Sequence, residues 1–387
     1  MREIIISPNE AGQRLDKFLK KYLREASGAF LYKMLRKKNI TLNGGKAAGN
    51  EMVEAGDKVK LFLAEETIEK FRGEAFHAEN FPAEKFTAER FPAEISRMEA
   101  SEEGRAGAVK QQSLFSGGEG RQASSFPAIP ILYEDAHILL AGKPSGVLTQ
   151  KAAAGDYTLN EWLIDYLLFS GQLTREELRT FRPSVCNRLD RNTSGLVICG
   201  KTLAGSQQMS RLLRDRTVHK YYRLYAAGRM RENGIRESWL VKDAKTNQVT
   251  IYDARPDEGD AVPIRTGWRV LKEYGAATYM EVELFTGKTH QIRAQMAALY
   301  HPLIGDSKYG TPSSRKLSGQ AGVRSQLLHA YRLTFPEMAG EFAPLSRRSF
   351  TAPEPEEFER FRLFLCGGTH QDREGRRKNK PDSFKEE

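Results

Sequence analysis

Apolar residues near the start of the chain return at helical spacing. Leu15, Phe18, Leu19 and Tyr22 share one helical face, while Lys17, Lys20, Lys21 and Arg24 fall on others. A second helix fits residues 30–38, with Phe30, Leu31, Met34 and Leu35 inward and the basic cluster Arg36-Lys37-Lys38 at its end. Strand-length segments follow: Ile40-Thr41-Leu42, the turn signal Asn43-Gly44-Gly45 and, after Ala55-Gly56-Asp57, a closing strand Val59-Lys60-Leu61-Phe62.

The pattern then changes. Phe71, Phe76, Phe81, Phe86 and Phe91 recur every five residues, mostly as Phe-x-Ala-Glu-x. That period matches neither a helix nor a strand, so these rings cannot line one face. Pro82 and Pro92 would also interrupt a helix. With the Ser/Gly-rich run around Ser116–Gly120, residues 64–125 read as a low-complexity, mostly disordered linker. A docking motif built on the phenylalanines is the alternative.

Beyond the linker, strands are expected around Ile129–Tyr133, His137–Ala141, Leu196–Cys199, Tyr221–Ala227 and Tyr279–Leu284. Helices fit Leu159–Leu168, Leu203–Arg214 and Gln291–Leu299. Strands and helices mixed without strict βαβ alternation predict an α+β class. Four segments result: 1–63, the linker 64–125, a large unit 126–365, and a frayed, polar tail 366–387.

The 387 residues carry 60 Lys+Arg and 50 Asp+Glu, a net charge of +10. Residues 1–63 hold 13 basic and 7 acidic side chains, a net of +6, whereas residues 64–125 hold 8 and 12, a net of −4. A basic chain favours an acidic partner, with nucleic acid first among candidates. No apolar run approaches the roughly 20 residues of a membrane span, and the opening residues are too quickly polar for a secretory signal. Cys186, Cys199 and Cys366 are too scattered for a disulfide framework or a metal knuckle and suit a reducing cytoplasm. No dinucleotide fingerprint, phosphate loop or zinc spacing is present, so no cofactor and no metal are expected.

Two stretches carry candidate chemistry. In residues 187–197, Asp190 lies in a polar turn before a buried strand, where it either faces a cleft or caps its own turn. In residues 284–293, the chain leaves a strand, turns at Gly287 and enters a helix, with Thr289 as a plausible cap. Arg293 and the first-turn N–H groups suit an anion or carboxylate; alone, Arg293 reads as a structural ion-pair former.

Together these stretches resemble a known family. Arg188-Leu189-Asp190-x-x-Thr193-Ser194-Gly195-Leu196 is similar to the catalytic motif of pseudouridine synthases of the RluA type. Thr286–Arg293 and His301–Gly310 resemble the family's later motifs, Gly142–Gly146 its first, Lys220-Tyr221-Tyr222 its Lys-x-Tyr element, and Leu328-His329-Ala330 a late structural element. The match runs in order over roughly residues 128–340. Asn187, Lys288, Gln295 and Gly142 depart from the usual residues. The N-terminal order, with Arg14–Leu19, Ile40 to Gly44 and Gly56-Asp57, resembles the small RNA-binding domain named after ribosomal protein S-four.

The resemblance implies a mixed, largely antiparallel sheet with a central cleft, preceded by that small domain. It implies isomerisation of uridine to pseudouridine in RNA, with Asp190 as nucleophile or as base at the ribose, both open. Arg293 would orient Asp190 and keep it ionised. Tyr222 would stack on the uracil and help move the C5 proton. Ile292 would wall the pocket, and Arg188, Thr289 and His290 would contact substrate. Arg14, Lys17, Arg36, Lys37 and Lys38 would grip RNA phosphates; alternatively the last three form an ordinary basic helix end. The expected partner is RNA, ribosomal RNA ahead of tRNA, with no membrane, a monomeric chain and a cytoplasmic setting. The rivals are a non-catalytic RNA-binding factor and a hydrolase using Asp190 with His290.

Overall fold

In the computed structural model, residues 1–72, 126–153, 155–243, 245–257 and 259–367 are described. The N-terminal elements are β1 (Arg2–Ile5), β2 (Gln13–Arg14), α1 (Leu15–Tyr22), α2 (Gly28–Arg36), β3 (Ile40–Leu42), β4 (Gly45–Lys46), β5 (Met52–Val53), β6 (Lys58–Leu61) and α3 (Glu65–Arg72). β1, β6, β3 and β4 form an antiparallel sheet in that order, and β2 pairs with β5. The apolar faces read from the sequence are buried together: Leu15, Phe18, Leu19 and Tyr22 from α1, and Leu31, Met34 and Leu35 from α2. Ser27 caps α2 by accepting from the Phe30 N–H at 3.2 Å.

The boundary expected at residue 64 falls later. Glu65–Arg72 is helical, Ile68 joins the N-terminal core, and Phe71, the first of the five-residue series, lies 4.5 Å from Phe30 between ring centroids. Its apolar neighbours, rather than its place in the repeat, decide its structure. Arg72 pairs with Glu176, and Thr180 donates to Glu10, so this small fold touches the large one. The rest of the expected linker, and the tail from residue 368, lie outside the described residues.

The large unit contains β7 (Ile131–Glu134), β8 (Ile138–Lys143), α4 (Leu159–Phe169), β9 (Ser184–Val185), β10 (Ser194–Gly200), α5 (Leu203–Arg214), β11 (His219–Ala227), β12 (Gly234–Asp243), β13 (Gln248–Tyr252), β14 (Val262–Glu273), β15 (Ala277–Leu284), α6 (Gln291–Ala298), α7 (Pro312–Gln320), β16 (Leu328–Thr334), β17 (Ser349–Thr351) and α8 (Glu356–Leu365). Its sheet runs β13-β12-β14-β15-β11-β16-β10-β8-β7, with β17 beside β16 and β9 beside β10. β10 and β16 run parallel, and the other pairs are antiparallel. This is the mixed, largely antiparallel sheet expected of the α+β class.

β10 is buried at every residue, which its continuous apolar run requires of a strand covered on both faces. Leu196 and Ile198 pack with Ile138 and Leu140 against Met209 and Leu212 of α5. Gly195 sits at φ +111, and a Cβ there would lie 2.2 Å from the Ala330 carbonyl oxygen. Only glycine lets β10 approach β16 this closely, five residues after Asp190. No described helix is long and apolar enough to cross a membrane.

Candidate active site

The turn carrying Asp190 is held from both sides. Thr193 N–H closes it on the Asp190 carbonyl at 3.0 Å. Thr149 Oγ1 donates to the Leu189 carbonyl at 2.8 Å and accepts from the Leu189 N–H at 3.2 Å. Ser145 Oγ donates to the Asn192 carbonyl at 3.0 Å. Lys143 is 1% exposed and donates to the carbonyls of Pro144, Val147 and Arg191 at 3.0, 2.7 and 2.9 Å. Burial pushes this ammonium down to about 7, with the Asp190 charge opposing. Three carbonyls on three N–H donors is the arrangement of its charged form. The Gly142–Gly146 stretch thus clamps the loop of the Asp190 motif. Asn187, where histidine is usual, accepts from the Ile198 N–H at 2.7 Å and so anchors the loop to β10.

Opposite this loop stands α6. Its start is organised by Gln291, whose Oε1 accepts from Thr286 Oγ1 at 3.0 Å and from the Lys288 N–H at 3.1 Å. Thr289, expected as the cap, is exposed and makes no cap bond; the N-cap position belongs to His290 at φ +53. Gln295, another departure from the usual residue, accepts from Thr266 and donates to Ser238 at 3.2 and 3.1 Å, tying α6 to the sheet.

From the first turn of α6, Arg293 reaches two carboxylates. Its Nη1 donates to Asp190 Oδ2 at 2.9 Å. Its Nε and Nη2 donate to Asp306 Oδ2 and Oδ1 at 2.7 and 2.9 Å. The forked pairing therefore goes to Asp306, and Asp190 receives a single hydrogen bond. Asp306 also accepts from the N–H groups of Lys308 and Tyr309 at 2.9 and 3.1 Å. Burial pushes its carboxyl up, but Arg293 and these N–H groups bring it net below the ordinary value. The Asp306 side chain is 0% exposed and that of Asp190 27%. Asp190 Oδ1 has no hydrogen-bond partner among the described residues.

His290 completes this side. Its Nε2 lies 3.9 Å from Asp190 Oδ2, and its Nδ1 lies 2.9 Å from the Tyr309 hydroxyl. Tyr309 accepts from the Val249 N–H at 3.1 Å, which leaves its own proton for His290 Nδ1. The Nε2 proton of a neutral imidazole then points at Asp190. Burial, against the opposing Asp190 charge, pushes His290 below its ordinary value, which favours the neutral form.

Tyr222 is buried in β11, and burial followed by the Asp190 charge pushes its phenol well above the usual range. It therefore stays protonated. Ile292 is buried in the first turn of α6, while Arg188 is exposed on the loop before Asp190. Asp190, Tyr222, His290 and Arg293 are brought together by the fold; Thr289 and Arg188 lie on its surface. In the N-terminal fold, Lys17, Arg36, Lys37 and Lys38 are exposed, and Arg14 is paired with Asp16 at 2.8 Å.

Sequence reasoning missed Asp306 and Tyr309 as members of the site. Their signal lay within His301–Gly310: an Asp directly after Gly305, whose φ of +81 marks a forced turn, followed by Lys308-Tyr309.

The RNA pseudouridylate synthase signature matches residues 137–298, which span the Asp190 loop, Tyr222 and Arg293. The chain is 30% identical over 220 residues to a ribosomal large subunit pseudouridine synthase D of Nitrosomonas europaea, covering 56% of this chain and 60% of that relative. A synthase D of Xanthomonas campestris is 32% identical over 240 residues, with 59% and 67% covered. A ribosomal large subunit pseudouridine synthase C of Vibrio cholerae is 26% identical over 344 residues, with 87% and 90% covered. The alignment to the Nitrosomonas protein thus spans less than two thirds of that relative's length. The loop that holds Asp190, the strand that holds Tyr222 and the helix that holds Arg293 all fall within the shared signature, and the chain belongs to the RNA pseudouridylate synthase family.

Proposed function

We propose that this protein isomerises uridine to pseudouridine in large-subunit ribosomal RNA. The observation that carries the reading is the partly exposed Asp190 carboxylate, held through one oxygen by Arg293 at 2.9 Å and without a partner among the described residues at the other. The relatives named for the large ribosomal subunit favour ribosomal RNA over tRNA.

In the reaction the N1–C1′ bond breaks, the uracil turns, and a C5–C1′ bond forms. The C5 proton leaves and N1 gains one, so atoms and electrons balance without a redox partner or group donor. Asp190 acts at the ribose or on the base, and Arg293 orients it. A protonated Tyr222 suits a stacking wall or a neutral hydrogen-bond donor, rather than a phenolate base. Ile292 supplies apolar surface, and His290 donates toward Asp190. The target base leaves its stack at a cost of a few kcal/mol, less in a loop. Binding by the basic N-terminal fold offsets that cost, with Lys17, Arg36, Lys37 and Lys38 on phosphates and Arg14 after release from Asp16. On this reading the protein works as a monomer in the cytoplasm, where ribosomal RNA is assembled.

Mapping pseudouridines in ribosomal RNA from cells lacking the protein tests this. The reading expects at least one large-subunit position to revert to uridine, restored by the wild-type gene and by in vitro treatment of an unmodified transcript. An unchanged map and an inert transcript would refute it.

A further inference from the structure

Among the described residues Lys220 is a cation without a counterion. It lies two residues before Tyr222 on β11; the irregular step in the pairing with β16 adds Tyr331 to β16 and no residue to β11, so strand alternation puts both side chains on the same face. Among the described residues its Nζ has no hydrogen bond and no ion pair. The nearby charge is Arg216, a second cation, and both this repulsion and, first, burial lower the Lys220 ammonium below its ordinary value. Its Nζ rests against Gly287, where a Cβ would lie 3.6 Å away, in the loop that leads into His290 and α6. Lys288, next in that loop, is exposed.

A partly buried ammonium with no acid to neutralise it among the described residues destabilises the free protein. Such an arrangement is relieved by an anion brought in from outside. Residues two apart on a strand are separated by about 7 Å, comparable to the distance from a stacked base to a neighbouring phosphate.

We propose that Lys220 holds an RNA backbone phosphate next to the target uridine while the base stacks on Tyr222. This rests on the reading of the protein as an RNA uridine isomerase. Lys220 would then bind substrate through the RNA backbone without entering the chemistry.

The probe is an unmodified large-subunit ribosomal RNA transcript. Affinity is measured across salt concentrations, and the single-turnover rate at saturating protein, for wild type, Lys220→Met and Lys220→Arg. We expect Lys220→Met to bind about tenfold more weakly and its salt slope to fall by about 0.7, one phosphate's share on a single strand. Its saturating rate should stay within about threefold of wild type, the signature of a binding contact. Lys220→Arg should recover most of the affinity. Because the lysine is unpartnered, Lys220→Met should melt no lower than wild type, whereas a structural lysine would lower the melting temperature. Unchanged affinity and slope, or a loss confined to the saturating rate, would overturn the proposal. So would an affinity loss that follows a lowered melting temperature and is not rescued by Arg. If wild type binds the transcript without forming pseudouridine, the functional reading fails, while the affinity comparison still decides Lys220.

Discussion

Asp306 takes the forked face of Arg293 and leaves Asp190 one hydrogen bond: Nε and Nη2 go to Asp306 at 2.7 and 2.9 Å, and Nη1 goes to Asp190 at 2.9 Å. Two carboxylates share one guanidinium. The buried one fixes the arginine, and the partly exposed one keeps an unbonded oxygen. Asp306 thus fixes the Arg293 side chain and, under the proposed function, is a positioning residue that acts through it.

Replacing Asp306 by Asn should therefore impair both stability and rate. The fork would lose its charged partner inside the protein, a change of the kind that costs about 3 kcal/mol. Denaturant unfolding should show a loss of that order. Single-turnover rates on RNA should fall while RNA affinity holds, since Asp306 is sealed from solvent. An Asn variant with wild-type stability and rate would show that the pairing is idle.

Arg293→Lys should be damaging despite its conserved charge. Lysine offers one flexible ammonium and cannot meet Asp306 with two parallel bonds while also reaching Asp190. A misplacement of about an ångström can cost roughly 100-fold in rate. We expect a loss of that order in single-turnover rate with near-parental RNA affinity. If Arg293 gripped a phosphate instead, Lys would substitute well and the loss would appear in binding.

Acid should destabilise the protein through His329. Burial pushes this imidazole from 6.5 down to about 4, while its contact with the Ala352 carbonyl opposes the shift. Nε2 donates to that carbonyl at 3.3 Å, so Nδ1 accepts from Ser194 Oγ at 2.8 Å. The unfolded chain binds the proton first as pH falls, so stability present above 6.5 is lost progressively toward 4. The expected loss over that window is roughly 3 kcal/mol. Unfolding free energies measured across it should fall more steeply for wild type than for His329→Gln; equal slopes would remove His329 as the cause.

Reversing three exposed charges at once, Arg36→Glu with Lys37→Glu and Lys38→Glu, should leave the fold intact and weaken RNA binding. These side chains lie on or just past the end of α2, away from its buried face. The salt slope should flatten by about 0.7–0.9 for each phosphate contact removed. An unchanged slope would mean that this helix end does not meet RNA.

Elements whose apolar residues keep a clean period were legible in the sequence. α1, α2, α5 and β10 fall within a few residues of their expected ranges. β12 and β14 were not legible, because their apolar residues do not alternate cleanly with the Arg, Glu and Lys between them: Trp239-Leu240-Val241 and Val270-Leu271 run together. α3 was hidden by the five-residue phenylalanine series, whose first member packs on Phe30. Asp190, Tyr222 and Arg293 were accessible through motif order. The allocation of the Arg293 donors was not, because it depends on Asp306 arriving from a separate turn. Nor was the start of α6, where His290 takes the N-cap position without a side-chain cap bond and the Gln291 side chain ties down the preceding loop instead.

The central claim is that the Asp190 carboxylate carries the reaction. Asp190→Asn keeps the shape and removes the charge, and Arg293 remains fixed by Asp306. Pseudouridine formation on an unmodified large-subunit ribosomal RNA transcript should fall to background. Melting temperature and RNA affinity should remain close to wild type. Turnover by Asp190→Asn at a rate near that of wild type would contradict the account.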